Sequence, residues 1–518
     1  MINPATLLTK YYKTTSLLFG SLLILALPPY YFYFVAALVF PLYFWLINKV
    51  ENTKKICACG YWFGFGFFAA GFYWIGNALL IDVVRTGWLY PLTLFLNGAF
   101  FGIFSVLPAF GGANKKIKSL TARMFVFAAL WGFSVEWVRS WFFSGFPWNP
   151  LSSILLFDIS VAQALGVFGT YGLSIITVLA LIFPARFLFY RNRKNFAVAA
   201  VMLFFFPLSL MMYGIRTIPL SRAKGETVSV RLVQPSIPQT AEWGRERAEK
   251  ELNQHIKLSH IPETEKTPDF VIWGETALPF DITYDYEHGA KVKQIVPANG
   301  YLITGMLRRE FNMDDGNYKL YNSLALIDDN AQVVDVYSKN HLVPFGEYIP
   351  FRKYLPDFIR PVTNMIGEFG KGEKYQIITP QGQEKFAPLI CYEIIFSDNI
   401  VRKNNDLRWM VLLTFDGWYG ESSGPYQHLA AAQMRAIEEG INIVRSANSG
   451  VSAVISAYGE IVAQLALNER GAITADVPLD TAHKTLFGRY GNLMMWLTIV
   501  LLILGAAAFE SVCRKAKS

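Results

Sequence analysis

Long apolar runs dominate the first part of this chain and limit what it can fold into. Up to about Tyr213 they follow one another with only short polar breaks. A helix that crosses a bilayer needs about 20 mostly apolar residues. Candidate spans lie at Thr15–Leu27, Tyr30–Ile47, Gly60–Leu80, Trp88–Phe110, Met124–Phe143, Val161–Phe183 and Phe196–Tyr213, with an eighth at Leu493–Phe509. The first is short and Pro28-Pro29 joins it to the second, which leaves a re-entrant hairpin open there. A cleaved signal peptide does not explain the N-terminus, because apolar runs keep coming and no small-residue cleavage site follows the first. Hydrophobic residues make up 53% of the 518 and charged ones 17%, against a usual charged share of about 25%. This excludes a disordered chain and argues against a wholly soluble one.

The net charge of +8 first raises nucleic acid as a partner. Its distribution gives another explanation. Lys10 and Lys13 precede the first span; Lys49, Lys54 and Lys55 follow the second; Lys115, Lys116, Lys118 and Arg123 follow the fourth; Arg186, Arg191, Arg193 and Lys194 follow the sixth; Arg514, Lys515 and Lys517 end the chain. Basic connections thus alternate with nearly neutral ones. Eight spans with both termini in the cytoplasm satisfy the positive-inside rule, and nucleic acid is not needed. The expected division is a membrane domain at 1–213, an outer domain at 214–487, and a last span with its tail at 488–518.

The outer domain alternates short β-rich runs with polar segments. VSVRLVQPSI (Val228–Ile237), DFVIWGE (Asp269–Glu275), YLITGML (Tyr301–Leu307) and WMVLLTF (Trp409–Phe415) read as buried strands. SLALIDDNAQVVDVYS has a turn triplet between two β runs and predicts a hairpin. Tyr426–Glu439 has helical spacing, and Gly440 falls at its stop position. INIVRSAN predicts a strand, and SGVSAVISAYGEIVAQLA a second hairpin around Tyr-Gly-Glu. Together these predict a layered α/β domain. No Rossmann or phosphate-loop glycine pattern occurs.

Chemistry gathers at the strand ends. Four cysteines in this length exclude a disulfide scaffold. Cys57, Cys59 and Cys513 sit at expected cytoplasmic edges, whereas Cys391, in PLICYE, stands alone in the outer domain. A solitary thiol is a candidate nucleophile, although an inert buried cysteine is about as common. The six histidines (His255, His260, His288, His341, His428, His483) do not end strands beside evident partners. Glu275, after the strand in VIWGETALP, and Lys339, after a hairpin strand in VYSKNHLVPFGEYIP, are better placed to serve a thiol. Read singly, each is an ordinary surface charge.

The three fragments together resemble the nitrilase superfamily, whose sites use Glu, Lys and Cys in that order; here they are 64 and 52 residues apart. WGET-x-LP, K-x-HLVPFGEY-x-P and CYE, in a chain with this many apolar runs, are closest to the apolipoprotein N-acyltransferase family. The resemblance covers nearly the whole chain. It implies an α-helical membrane bundle of eight spans and an outer nitrilase-like αββα sandwich in the periplasm, in a multi-pass protein of the bacterial inner membrane. It implies that Cys391 is the nucleophile, Glu275 the general base and Lys339 the oxyanion stabiliser, with Glu347, Tyr392 and Glu393 in support. Trp243, in PSIPQTAEW, matches a tryptophan on a mobile arm. Phe415-Asp416-Gly417-Trp418-Tyr419 stands where the family commonly has Asn-Asp-Ala-Trp-Phe, and Trp418 is a further substrate-binding candidate.

The same resemblance implies acyl transfer from a phospholipid, through a cysteine thioester, to the amine of a diacylglyceryl-cysteine apolipoprotein, without metal or organic cofactor and as a monomer. Its rivals are a membrane-tethered amidase and a non-catalytic transporter or scaffold. Glu136 and Arg139 lie inside the fifth apolar run, where ionisable residues are rare and usually paired. Two expectations for them carry equal weight: an anchoring ion pair, or an Arg139 that meets a lipid head-group phosphate while Glu136 orients it.

Overall fold

A computed structural model describes residues 4–218, 225–240, 244–262, 266–283, 285–311, 318–356, 361, 368–373, 375–397 and 406–516. The chain forms two compact units. One comprises Met1–Leu79, Val84–Leu220 and Thr485–Ser518; the other comprises Leu80–Val83 and Ser221–Lys484.

The first unit is helical. Among the described residues, four helices are long and apolar enough to cross a membrane: Val83–Gly112, Leu165–Tyr190, Arg193–Thr217 and Leu493–Lys515. Thr53–Gly71 and Tyr73–Leu80 also qualify if taken together, and they meet at a 44° bend. Tyr12–Ala26 and Tyr33–Lys49 are apolar but shorter. The expectation of eight spans therefore meets four clear ones, or five with the bent pair. Composition does not show where a run breaks. The expected fifth span runs as Leu120–Trp131, loosens into a π-type turn at Gly132–Trp137, tightens at Val138–Ser140 and breaks at Phe143 (φ 52°). Small residues let helices touch where no hydrophobic force drives them together in lipid. A Cβ on Gly20 would stand 1.9 Å from the Phe63 carbonyl oxygen, so Tyr12–Leu22 and Thr53–Gly71 cross backbone to backbone.

The second unit holds eleven described strands. Those of the first sheet are β1 (Thr227–Gln234), β2 (Phe270–Ile272), β3 (Tyr301–Phe311), β4 (Tyr318–Asp328), β5 (Val333–Ser338) and, last in the chain, β11 (Gly471–Pro478). Their order is β11-β1-β2-β3-β4-β5. The second sheet runs β10-β9-β8-β7-β6, with β6 at Ala387–Ile390, β7 at Trp409–Thr414, β8 at Asn442–Ala447, β9 at Ser452–Ile455 and β10 at Ile461–Leu465. β1, β2 and β3 are parallel, as are β6, β7 and β8. Both expected hairpins form, as β4–β5 and β9–β10.

The sheets share one core. Val230, Leu232, Phe270, Ile272 and Leu324 of the first pack with Ile390, Trp409, Val411, Leu413 and Val444 of the second. Each such side chain contributes about 1.5–3 kcal/mol by leaving water. The other face of the first sheet is covered by helices Arg245–Ser259 and Tyr286–Lys293, through Leu252 and Val292. Strands buried on both faces need apolar side chains at nearly every position. This is why WMVLLT reads as a continuous apolar run. Helix Gly424–Glu439 ends at Gly440, whose φ of 67° is the left-handed stop expected from its sequence.

Candidate active site

Glu275 follows β2, Lys339 follows β5 and Cys391 follows β6. These strands belong to both sheets, and their carboxyl ends converge, as ligand sites on parallel sheets do. The local backbone fits the task. Gly305 of β3 has no side chain because a Cβ would lie 2.3 Å from the Thr276 nitrogen and 2.7 Å from Glu275 Cα. Thr276 and Cys391 both hold φ of 51°, unusual for residues with side chains. Strain of this kind, about 1–3 kcal/mol per residue, persists where the surroundings over-determine it.

Lys339 Nζ lies 2.9 Å from Glu347 Oε1 and 3.5 Å from Glu275 Oε1, and all three side chains are buried. Asn322, inside β4, donates from Nδ2 to Glu275 (2.7 Å) and to Glu347 (3.1 Å), and its backbone carbonyl accepts from the Lys339 backbone N–H (2.8 Å). The Val343 N–H donates to the other Glu347 oxygen at 2.8 Å.

These surroundings set the proton affinities. Burial raises the Glu275 carboxyl above its ordinary range, against Lys339 and the hydrogen bonds of Asn322 and Cys391. Burial disfavours the Lys339 ammonium, but Glu347 and Glu275 outweigh it and hold the lysine above its usual value. Burial, then Glu275, pushes the Cys391 thiol up to about 12. The resting cysteine is therefore a thiol, and it needs a base within reach to become a nucleophile.

Glu393 is a structural hub. Oε1 accepts from the Tyr337 hydroxyl (2.8 Å) and the N–H groups of Asn340 (2.8 Å) and His341 (3.1 Å); Oε2 accepts from the Ile390 N–H (2.8 Å). One carboxylate thus ties the segment after Lys339 to the strand end before Cys391. Tyr392 is buried, 5.6 Å from the His341 ring and 5.1 Å from Phe396. Trp418 is half-buried beside Phe415. Trp243 lies outside the described residues.

Sequence reasoning passed over His428, and the structure corrects this. Its Nδ1 lies 2.9 Å from Asp416 Oδ1, and its Nε2 donates to the Cys391 carbonyl oxygen at 3.1 Å. Arg445 of β8 lies 2.6 Å from the other Asp416 oxygen. Burial opposes charge on Asp416, but Arg445 and His428 prevail and hold it at about 2. The available signal was Asp416 itself, which ends an apolar strand just as Glu275 does. Asn322 was also missed. Among the described residues no group of three or more His, Cys, Asp or Glu is placed to hold a metal ion.

Glu136 and Arg139 lie in the helical unit, each 1% exposed. Arg139 Nε donates to the Val135 carbonyl (2.6 Å) and Nη1 to that of Trp148 (2.8 Å) and of Phe146; Nη2 lies 3.8 Å from Glu136. Glu136 accepts from Trp131 Nε1 and the Leu151 N–H, both at 3.1 Å. This geometry favours the anchoring pair over the head-group contact: the guanidinium is committed to the loop that follows its own helix.

Two family models match the chain: the carbon-nitrogen hydrolase model over residues 229–485, and the apolipoprotein N-acyltransferase N-terminal domain model over 19–183. An apolipoprotein N-acyltransferase of Rhodopseudomonas palustris is 34% identical over 94% of this chain and 93% of its own length. That of Rickettsia prowazekii is 34% identical over 95% and 98%. Among solved structures, Saccharomyces cerevisiae Nit3, a member of branch 10 of the nitrilase superfamily, aligns with 50% of this chain and 93% of its own, at 17% identity and a TM-score of 0.34. With both family models matched and relatives alike over almost their whole length, the chain belongs to the apolipoprotein N-acyltransferase family and is an acyltransferase.

Proposed function

We propose that this chain moves an acyl chain from a membrane phospholipid, through a thioester on Cys391, to the N-terminal amine of a diacylglyceryl-cysteine apolipoprotein. The observation that carries this reading is the gathering of Glu275, Lys339 and Cys391 at the strand ends of two sheets, with Glu347 of the loop after β5 against the lysine. In the first half-reaction the Glu275 carboxylate takes the thiol proton, and sulfur attacks the ester carbonyl carbon. The Lys339 ammonium, with the Tyr392 backbone N–H, faces the oxyanion. The C–O bond breaks, and lysophospholipid leaves with the proton from Glu275. In the second, the acceptor amine attacks the thioester carbonyl, Glu275 takes its proton, and the C–S bond breaks. The thiolate recovers a proton from Glu275. Ping-pong kinetics follow.

Both substrates carry acyl chains, and drawing these into water costs about 0.8 kcal/mol per CH₂. Membrane residence suits the chemistry. We place the protein in the bacterial inner membrane as a monomer with eight spans, both termini cytoplasmic, and the catalytic unit in the periplasm as an αββα sandwich. Trp243 and Trp418 are assigned to the substrate path.

The test is acyl trapping. Incubated with phospholipid alone, the protein gains one acyl group on Cys391, located by mass spectrometry and released by hydroxylamine; Cys391→Ala gains none. Acylation that persists in Cys391→Ala overturns the reading. Release of free fatty acid in place of transfer to a lipopeptide amine converts it to a hydrolase.

A further inference from the structure

Tyr419 belongs to the turn Asp416–Tyr419 that follows β7. Its hydroxyl lies 4.0 Å from Cys391 Sγ, within hydrogen-bond reach of a sulfur. The placement is enforced by the buried network around His428. One side of that imidazole holds the Cys391 carbonyl, and the other holds Asp416, the first residue of the turn that carries Tyr419. The Tyr419 ring stands edge-on to the same imidazole, centroids 6.0 Å apart at 75°. Arg445 and the Thr414 hydroxyl (3.0 Å) fix Asp416 in turn. One rigid unit therefore sets both the nucleophile's backbone and the phenol.

We propose that Tyr419 is a further catalytic residue, whose hydroxyl donates a hydrogen bond to the Cys391 sulfur when it is anionic. This rests on the reading of Cys391 as the nucleophile. Lys339 is drawn toward two carboxylates, so its positive charge is shared away from sulfur. The Tyr419 phenol is a neutral donor, and it complements the ammonium. Burial, followed by Cys391, Asp416 and Glu275, holds the phenol well above its ordinary range, so it keeps its proton. The proton that leaves the thiol goes to Glu275; the Tyr419 proton is shared with sulfur and not transferred. The same bond favours expulsion of Cys391 thiolate when the thioester breaks down.

Tyr419→Phe removes only the hydroxyl. The readout is the rate of Cys391 alkylation by iodoacetamide at fixed pH values between about 7 and 9, in the full-length protein in detergent, mapped by mass spectrometry. Charged or titratable groups facing the sulfur are Glu275, Lys339 and Asp416, and none of them is altered. A hydrogen bond to a charged group is worth about ten- to hundredfold in equilibrium, so the thiolate fraction, and with it the alkylation rate at each pH, falls by about that factor. Thioester formation at fixed pH slows by a similar factor, while the thermal midpoint stays at the parent value. Tyr419→Leu, which also lacks the ring, slows alkylation at least as much. An unchanged alkylation rate in Tyr419→Phe across that pH range, with Cys391 still the labelled residue, overturns this inference alone. Failure of the parent's Cys391 to react at any pH overturns the proposed function and this inference with it.

Discussion

The Lys339 ammonium is closer to Glu347, at 2.9 Å, than to Glu275, at 3.5 Å. Glu275 therefore shares its cation with a second carboxylate, and Glu347 raises the proton affinity of Glu275 by its own negative charge. In Glu347→Gln that repulsion is gone and Lys339 turns to Glu275. The acid limb of the thioester-forming rate then moves to lower pH, and the plateau falls by about a hundredfold, in the range of a lost general-base contribution. Single-turnover rates across pH check this.

Asn322 acts in the opposite direction. Its amide stabilises the charged form of Glu275. Asn322→Ala is expected to move the same acid limb to higher pH, because the carboxyl then holds its proton more tightly. Opposite shifts from two neighbours of one carboxylate identify the titrating group as Glu275. Shifts of one sign in both variants would assign the limb elsewhere.

Glu393 accepts four hydrogen bonds, three of them from backbone N–H groups. Glu393→Gln turns one acceptor into an NH₂ facing donors. Breaking a buried charged network typically costs 3–5 kcal/mol, and about 3 kcal/mol is expected here, read as a fall in the thermal midpoint. Cys391 alkylation slows in the fraction that folds, since the link between the Lys339 segment and the nucleophile's strand end is lost.

Asp416 is held at about 2, below its usual 3.8. Its folded value is depressed, so it contributes stability that is full above the ordinary value and is lost as pH falls from about 4 through 2. Asp416→Asn should lower stability at neutral pH by about 2 kcal/mol and flatten the acid dependence in that window. Thermal melts from pH 7 down to pH 2 measure both effects.

Arg139 ends on the carbonyls of Val135, Phe146 and Trp148. Lysine keeps the charge but cannot span these acceptors as a planar fork does. Arg139→Lys is expected to lower the thermal midpoint and the yield of folded protein, with the phospholipid concentration at half-maximal thioester formation unchanged. A selective rise in that concentration would restore the head-group contact.

Much of the catalytic unit was legible because its signals are local. Asp-Asp-Asn and Tyr-Gly-Glu mark turns that need no tertiary information, and a charged residue after an apolar strand marks a pocket edge. His428 escaped because its partners are 12 and 37 residues away. Its role exists only once β6 and helix Gly424–Glu439 are in place. Asn322 escaped because nothing in YKLYNSLALID separates a site residue from an ordinary polar one within a strand. β11 was not read at all: GAITADVP is largely half-exposed and carries little apolar signal. In the helical unit, composition reports that residues avoid water but does not report where a helix bends.

The strand that leads into Cys391 and those that lead into Glu275 and Lys339 lie in different sheets. The two halves of the reactive centre come together only when the sheets dock. The first sheet is completed by β11, which pairs along the whole of β1 and is made after every site residue. A chain still emerging from the ribosome therefore carries Cys391 with the modest reactivity of any solvated thiol. The surroundings that change its proton affinity are a late property, acquired when almost the entire sequence is present.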